Sequence, residues 1–550
     1  MPSPAMHLRA PLLWLLLPLM AGLGAAKLWP PPASGLVPPL LGAGILGLLA
    51  GGLALSRTLP ARVGWSLGIS LAGALAGFGL LHLAVPGRHV VLNRPPREVT
   101  VTLEVRQLFA PSPSARSLTG LGRITAAGEN DRELVGRRVY FSAIRRISVP
   151  PQRSGRYTVR GVVEPLPPDP AGTGFNDYLE NLGIRQRLVR AQILAEVRPP
   201  GWFQRFCARA ENHLEGILRR GLESRPQVLS LYLAMLLGEK AVLSTEQQNA
   251  FMRSGTFHIF SISGLHVGAI AGAVYLLFNL LRLPHRPAVV VGLVVLWLYV
   301  QITGASPPAM RAFLMIAFLS ASRFFRLPGN PLAALTAAAL VTLLLDPVQL
   351  FSTGFQMSYS VVVALVTMGV PLGKRWLAAW RPFALLPPAD WRWRHKMLNR
   401  SGRGLLRAGA ACWVAFLASA PSGIGYFGLF SPGSLVANLV IIPLSSVAMG
   451  AGFVSLVVGL AGLAPVSVAC NVVAALTLVV MDWLAQHGAG LPGAYFQAHF
   501  TRGWMAPAAL VLMTAVMLAG ASGRWSRRYG GCWPPVAVLG LIFIFGVKFG

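Results

Sequence analysis

Residues 434–461 read SLVANLVIIPLSSVAMGAGFVSLVVGLA, a run of 28 residues without a charged side chain. A helix needs roughly 20 apolar residues to cross the hydrocarbon of a bilayer, so this run predicts a span with length to spare. Pro443 lies inside it and lacks a backbone donor, which predicts a break in the helix near that residue.

Similar runs extend in both directions. Apolar segments occupy 11–29, 36–55 and 63–85 at the start, then 258–281, 287–304, 308–322, 331–345, 353–371 and 408–424, and finally 465–484, 504–521 and 533–548. A shorter one at 228–238 cannot cross alone. The first segment contains AGLGAA (21–26), whose small residues resemble a signal-peptide cleavage site. Trp29 at an interfacial position and two spans directly after it predict a retained helix instead. Over all 550 residues, 54% are hydrophobic, 12% are charged and the mean hydropathy is +0.58. Soluble domains carry about 25% charge. The expected fold is therefore a polytopic α-helical membrane protein of about 12–14 transmembrane helices, interrupted by one small β domain.

The net charge of +30 has two readings. One is nucleic-acid binding; the other, commoner in membrane proteins, is a basic cytoplasmic rim. After Glu246 the only acids are Asp346, Asp390 and Asp482. Arg9, Arg57, Arg62, the 282–286 turn, Arg323, Arg326, the 373–407 loop with nine Lys or Arg, and the 524–528 turn fall on one side if the spans alternate. That side is the cytoplasm by the positive-inside rule. Cys207, Cys412, Cys470 and Cys532 are scattered, without metal or disulfide spacing, and are expected to pack in apolar surroundings.

Residues 88–198 differ from the rest, with eighteen Arg and ten acids for a net +8. VTVTLEVRQLF (99–109), RRVYFSAIRRI (137–147) and RYTVRGVVE (156–164) alternate with a period of two between turn-rich stretches. This predicts an OB-like barrel of about five strands on the external side. Such a basic barrel suits single-stranded nucleic acid. Tyr140, Phe141 and Tyr157 are candidates for base stacking, although core packing is the commoner role. Residues 199–226 follow as an amphipathic linker helix with Trp202, Phe203, Phe206, Leu214, Ile217 and Leu218 on one face. The expected division is thus 1–87, 88–198, 199–226 and 227–550.

The chemistry concentrates in SGTFHIFSISGLHVGAIAG (254–272). His258, Ser261, Ser263 and His266 lie in an apolar stretch, and Gly264, Gly268 and Gly272 form a ridge on which a helix can pack closely. Polar groups in hydrocarbon face the bundle interior or an aqueous path; hydrogen-bond glue between helices and pore lining both fit. The stretch resembles the "GT-x-H-x-x-x-ISGLHV" hallmark of the ComEC competence family. GASPPAMRAFLM (304–315), DPVQLFSTGFQMSYSVV (346–362), SAPSGIGYFGLFSPGSLVANLVIIPL (419–444) and FNDYLENLGI (175–184) resemble further family elements in the family's order. The resemblance covers roughly residues 30–520.

The resemblance implies an inner-membrane channel that passes single-stranded DNA inward during natural transformation. Implied partners are single-stranded DNA, membrane lipid, a cytoplasmic motor ATPase, an external DNA receptor, a separate nuclease and further copies of the chain. The alternative is a transporter of another solute or lipid, or an orphan relative without a competence role. Candidate path residues are His258, Ser261, Ser263, His266, Arg311, Gln356, Ser360 and Asn438. Arg311 is a fixed cation one turn inside a span, and Ser352, Gln356 and Ser360 share a helix face. Asn438 stands five residues before Pro443.

Many family members also carry a metallo-β-lactamase-like domain credited with strand degradation. Its HxHxDH metal cluster is absent here, so a form without that domain, without metal or cofactor and without enzymatic activity is expected. GxxxxGK[ST] is absent too, which leaves energy to a partner or a gradient. Reporter fusions within 373–407 should read cytoplasmic and fusions within 110–160 external; swapped signals would invert the topology.

Overall fold

The computed structural model describes residues 10–549 except 33–34, 55–58, 86–94, 110–116, 145–150, 168–174, 239–242, 261–263, 281, 283, 328, 384–385, 388–389 and 522–532. Three helices, α1 (Leu13–Leu28), α2 (Val37–Ala54) and α3 (Leu59–Ala84), lead into the barrel strands β1 (Arg97–Phe109), β2 (Ser117–Ala127), β3 (Arg138–Ile144), β4 (Arg156–Pro165) and β5 (Gln186–Arg198). A short helix α4 (Phe175–Asn181) joins β4 to β5.

The helical remainder comprises α5 (Trp202–Arg219), α6 (Pro226–Leu236), α7 (Thr245–Arg253), α8 (Gly264–Leu280), α9 (His285–Ile302), α10 (Pro307–Phe324), α11 (Pro331–Leu345), α12 (Thr353–Ala364), α13 (Val370–Ala379), α14 (Trp393–Phe427), α15 (Ser434–Leu460), α16 (Ala464–Ala489), α17 (Met505–Ala521) and α18 (Trp533–Gly546). Among the described residues five helices are long and apolar enough to cross a membrane, and nine more are apolar but shorter. Large side chains such as Leu48, Leu345 and Ile544 stand on the outside at 75–80% exposure. That is costly in water and natural in lipid. The chain is a polytopic helical membrane protein with one inserted barrel.

The barrel closes in the order β1-β2-β3-β5-β4, with β3 and β5 parallel and the other neighbours antiparallel. This is the connectivity of an OB-like barrel. Alternate residues Val99, Val101, Leu103 and Val105 of β1 point inward to meet Ile124, Val139, Phe141, Tyr157 and Leu188. Phe141 and Tyr157 are therefore core residues, with the Tyr157 hydroxyl accepting from the Gln152 amide at 2.9 Å and burial raising its pKa. Tyr140 lies outside the barrel among Phe109 and Phe175. Gly120 and Gly122 of β2 leave room for Phe141 and Leu103, whose side chains a Cβ would strike below 3 Å.

Three contacts seat the barrel on the helices. Lys27, at the end of α1, donates to Asn181 Oδ1 at 2.6 Å and lies over the Phe351 ring at 4.8 Å. Arg138 pairs with Asp346 at 3.2 Å, just beyond α11. Arg153 donates to the Gly304 carbonyl between α9 and α10 at 3.0 Å, and burial lowers its pKa. All three turns belong to one end of an alternating bundle. Between them Leu179, Leu182 and Ile184 join Val348, Leu350 and Phe351 in one apolar cluster.

Two expectations are corrected. α15 runs unbroken through Pro443, because each backbone group left open in hydrocarbon costs more than the bond that proline forfeits. A π-turn over Leu365–Gly369 instead precedes Pro371. The basic stretch read as a loop to residue 407 is helical from Trp393, with the Trp380 indole donating to Asn399 Oδ1 at 3.1 Å. Of the linker's predicted apolar face, Leu214, Ile217 and Leu218 are buried, Phe203 stacks on Trp297, and Trp202 and Phe206 are exposed. Three short strands that no alternation announces, β6 (Leu429–Phe430), β7 (Phe496–Phe500) and β8 (Val547–Phe549), form a small sheet.

Replacing Phe141 with Ala should cost the barrel about 3–5 kcal/mol, read as lost protease resistance in membranes. Tyr140→Ala should cost clearly less; equal losses would contradict this core.

Candidate functional site

Among the described residues Arg311 is the largest side chain that is fully buried, at 2% exposure. α10 places it one turn inside the bundle from the turn that the barrel holds at Gly304. Its Nη2 donates to the Gly354 carbonyl at 2.7 Å, and its Nε and Nη1 have no hydrogen-bond partner among the described residues. A Cβ on Gly354 would come within 3.3 Å of Nη2, so glycine there lets the guanidinium approach the backbone. Asp346, at the end of α11, is committed to Arg138. A sealed guanidinium with two unpartnered donor nitrogens is a strong demand for an anion.

Gln356 stands beside it on α12. Its amide donates to the Leu350 carbonyl at 3.0 Å, and its Oε1 accepts a short hydrogen bond from the Tyr426 hydroxyl of α14. Tyr359, one turn on, shares a hydrogen bond with Thr342 of α11 at 3.4 Å. Ser352 caps α12 through the Phe355 amide, and Ser360 is buried and spent on the Met357 carbonyl at 3.2 Å. The serines of the predicted face thus serve the helix, while Arg311, Gln356, Tyr359 and Tyr426 make a polar group across α10, α12 and α14.

A second group forms around the 254–258 segment. Gly255 has φ +69° and packs so closely on Ser434 that a Cβ would lie 2.6 Å from its side chain. The Ser254 and Thr256 hydroxyls on either side are buried and bond each other at 2.7 Å. The motif therefore docks on the start of α15, and Asn438 lies one turn further along with its Oδ1 buried and unpartnered among the described residues. His258 is exposed on a single 3-10 turn, Phe257–Phe260. Ser261 and Ser263 lie outside the described residues. His266 is buried in α8.

α8 connects the two groups. Val267, Ile270 and Val274 share an apolar cluster with Ala309 and Ala312, which flank Arg311. The opposite face of α8 carries the glycine ridge. A Cβ at Gly264, Gly268 or Gly272 would meet nothing within 4 Å, so the ridge expected to pack a helix stands open among the described residues. Tyr359, Tyr426 and Thr342 were not singled out in the sequence. A tyrosine in an apolar run reads as packing, and only the fold shows which hydroxyls meet a neighbour. Among the described residues no group of three or more His, Cys, Asp or Glu is placed to hold a metal.

The family model described as "Competence protein" matches residues 235–525. The chain is 30% identical over 141 residues to ComE operon protein 3 of Bacillus subtilis, a stretch covering 26% of this chain and 18% of that protein. It is 24% identical over 224 residues to Recombination protein 2 of Haemophilus influenzae, covering 39% and 26%. Against Competence protein ComA of Neisseria gonorrhoeae it is 34% identical over 147 residues, covering 25% and 21%. These matches therefore span about a quarter or less of each relative. No solved structure matches the chain. The matched region takes in more than half of the sequence and holds both the Arg311 group and the 254–258 group, and the chain belongs to the Competence protein family.

Proposed function

We propose that the chain is a bacterial inner-membrane conduit for single-stranded DNA in natural transformation. The observation that carries this reading is Arg311, a buried guanidinium with two uncommitted donors below the barrel's seat. A DNA backbone supplies one phosphate per nucleotide, and phosphate contacts position a strand without reading its sequence. Each phosphate in turn meets the open N–H groups, and none is held by a matched acid that must first be displaced. Gln356, Tyr426 and Asn438 add neutral donors and acceptors that replace water around sugar and base. The open glycine ridge of α8 offers a wall without side chains against which a strand can slide.

The barrel, with its net +8, receives the strand on the outer side, where Arg raises its local concentration. Residues 1–87 anchor the barrel, 199–226 link it and 227–550 form the conduit. The chain performs no chemistry on the strand; a motor ATPase, an external receptor and a nuclease act beside it, and further copies of the chain complete the channel wall.

Arg311→Leu keeps the helix apolar enough to insert and removes the fixed cation. In the source bacterium it should lower transformation roughly 30- to 100-fold, the equivalent of losing ~2–3 kcal/mol of charge-assisted hydrogen bonding, with the protein at its normal membrane level. Ser320→Ala on the same helix should change little. Intact uptake in Arg311→Leu, or loss of the protein from the membrane, would assign Arg311 a structural role.

A further inference from the structure

Asp482 is the sole acidic residue within the five long apolar helices. It sits in α16, seven residues before Ala489, about 10 Å inside the helix end. Leu478, Met481 and Ala485 around it belong to the largest apolar cluster. The carboxyl is half-buried. Its Oδ2 accepts from the Gln486 amide at 3.0 Å, and Gln247 of α7, which packs on α16, neighbours the carboxyl. Its Oδ1 is buried and has no hydrogen-bond partner among the described residues.

No cation answers this carboxyl among the described residues. α15 and α6, which pack on α16, contain no charged side chain. α7, the third neighbour, carries Glu246, which is exposed, and Arg253, which lies over the Tyr495 ring at 5.3 Å. His487 of α16 itself faces the Trp483 carbonyl at 2.8 Å. Glu239 and Lys240 lie outside the described residues. A carboxylate left ionised and unpaired in an apolar cluster costs several kcal/mol. Protonation removes that cost. A metal cation removes it only with several oxygen ligands, and the groups that approach this carboxyl are amide donors.

We propose that Asp482 is a proton-exchange site, read out by Gln247. Gln247 is itself buried and held by Ser230, the Ser244 amide and the Gln227 carbonyl. It also closes the capping box that starts α7. Protonation turns one carboxyl oxygen from acceptor to donor, which changes what the carboxyl offers the Gln247 amide and, through Gln247, the start of α7. α7 ends at Arg253, directly before the Gly255 contact with Ser434 and the turn bearing His258. A proton at Asp482 is thereby connected to the polar path, whatever passes along it.

The test uses the purified full chain in lipid nanodiscs and N,N′-dicyclohexylcarbodiimide, which attacks protonated carboxyl groups in apolar surroundings, with adducts mapped by mass spectrometry. Asp482 should be modified faster as pH falls and at a rate indifferent to sodium, while Asp346 and Asp390 remain unmodified. Gln247→Leu removes a donor that favours the ionised form, so the labelling profile should move about one unit to higher pH. Asp482→Asn should abolish the adduct. No adduct at any pH, a rate independent of pH, or protection by sodium at fixed pH would each overturn the proton assignment. The readout needs no DNA, so its failure is separable from failure of the conduit itself.

Discussion

Hydrocarbon supplies no hydrogen-bond partner, and the architecture follows from that constraint. Every backbone donor inside the bilayer must be satisfied within its own helix. This is why α15 tolerates Pro443 without breaking and why an isolated π-turn absorbs the disturbance ahead of Pro371. The barrel meets the same demand in water by closing on itself, which removes its free edges.

Against that background, polar groups that lack partners stand out. Arg311 spends one of its donors on Gly354 and leaves two open. Nature could have placed an acid opposite and sealed the site, as Arg138 and Asp346 do at the rim. The open donors are instead beneath the barrel and beside Gln356, Tyr359 and Tyr426. A site of this kind is poorly matched to its own protein and well matched to a passing anion. Asp482 presents the opposite sign in a separate part of the fold, held by amides alone.

Much of the fold was legible because its signals are local. Apolar runs marked the helices, and period-two alternation in 99–109, 137–147 and 156–164 marked the barrel strands β1, β3 and β4. Barrel closure through the parallel β3–β5 pair was not readable, since Tyr140 and Arg187 lie far apart in sequence and neither announces the other. The same holds for β6, β7 and β8, whose two to five residues pair over long distances. Residues 393–407 read as a loop because they are so basic, yet Arg is a good helix former. At the site, Arg311, Gln356 and Asn438 were visible as polar residues in apolar runs. Tyr426 and Asp482 gained meaning only from neighbours that the chain brings from 70 and 235 residues away.

If the chain conducts a single strand, that strand passes Arg311. A photoreactive single-stranded oligonucleotide can be trapped on the full chain in proteoliposomes and its adducts mapped by mass spectrometry. Adducts on α10 and α12 around Arg311 and Gln356, present for single strands and absent for duplex, are the predicted result. Adducts confined to the barrel, with none in the helical bundle, would contradict it.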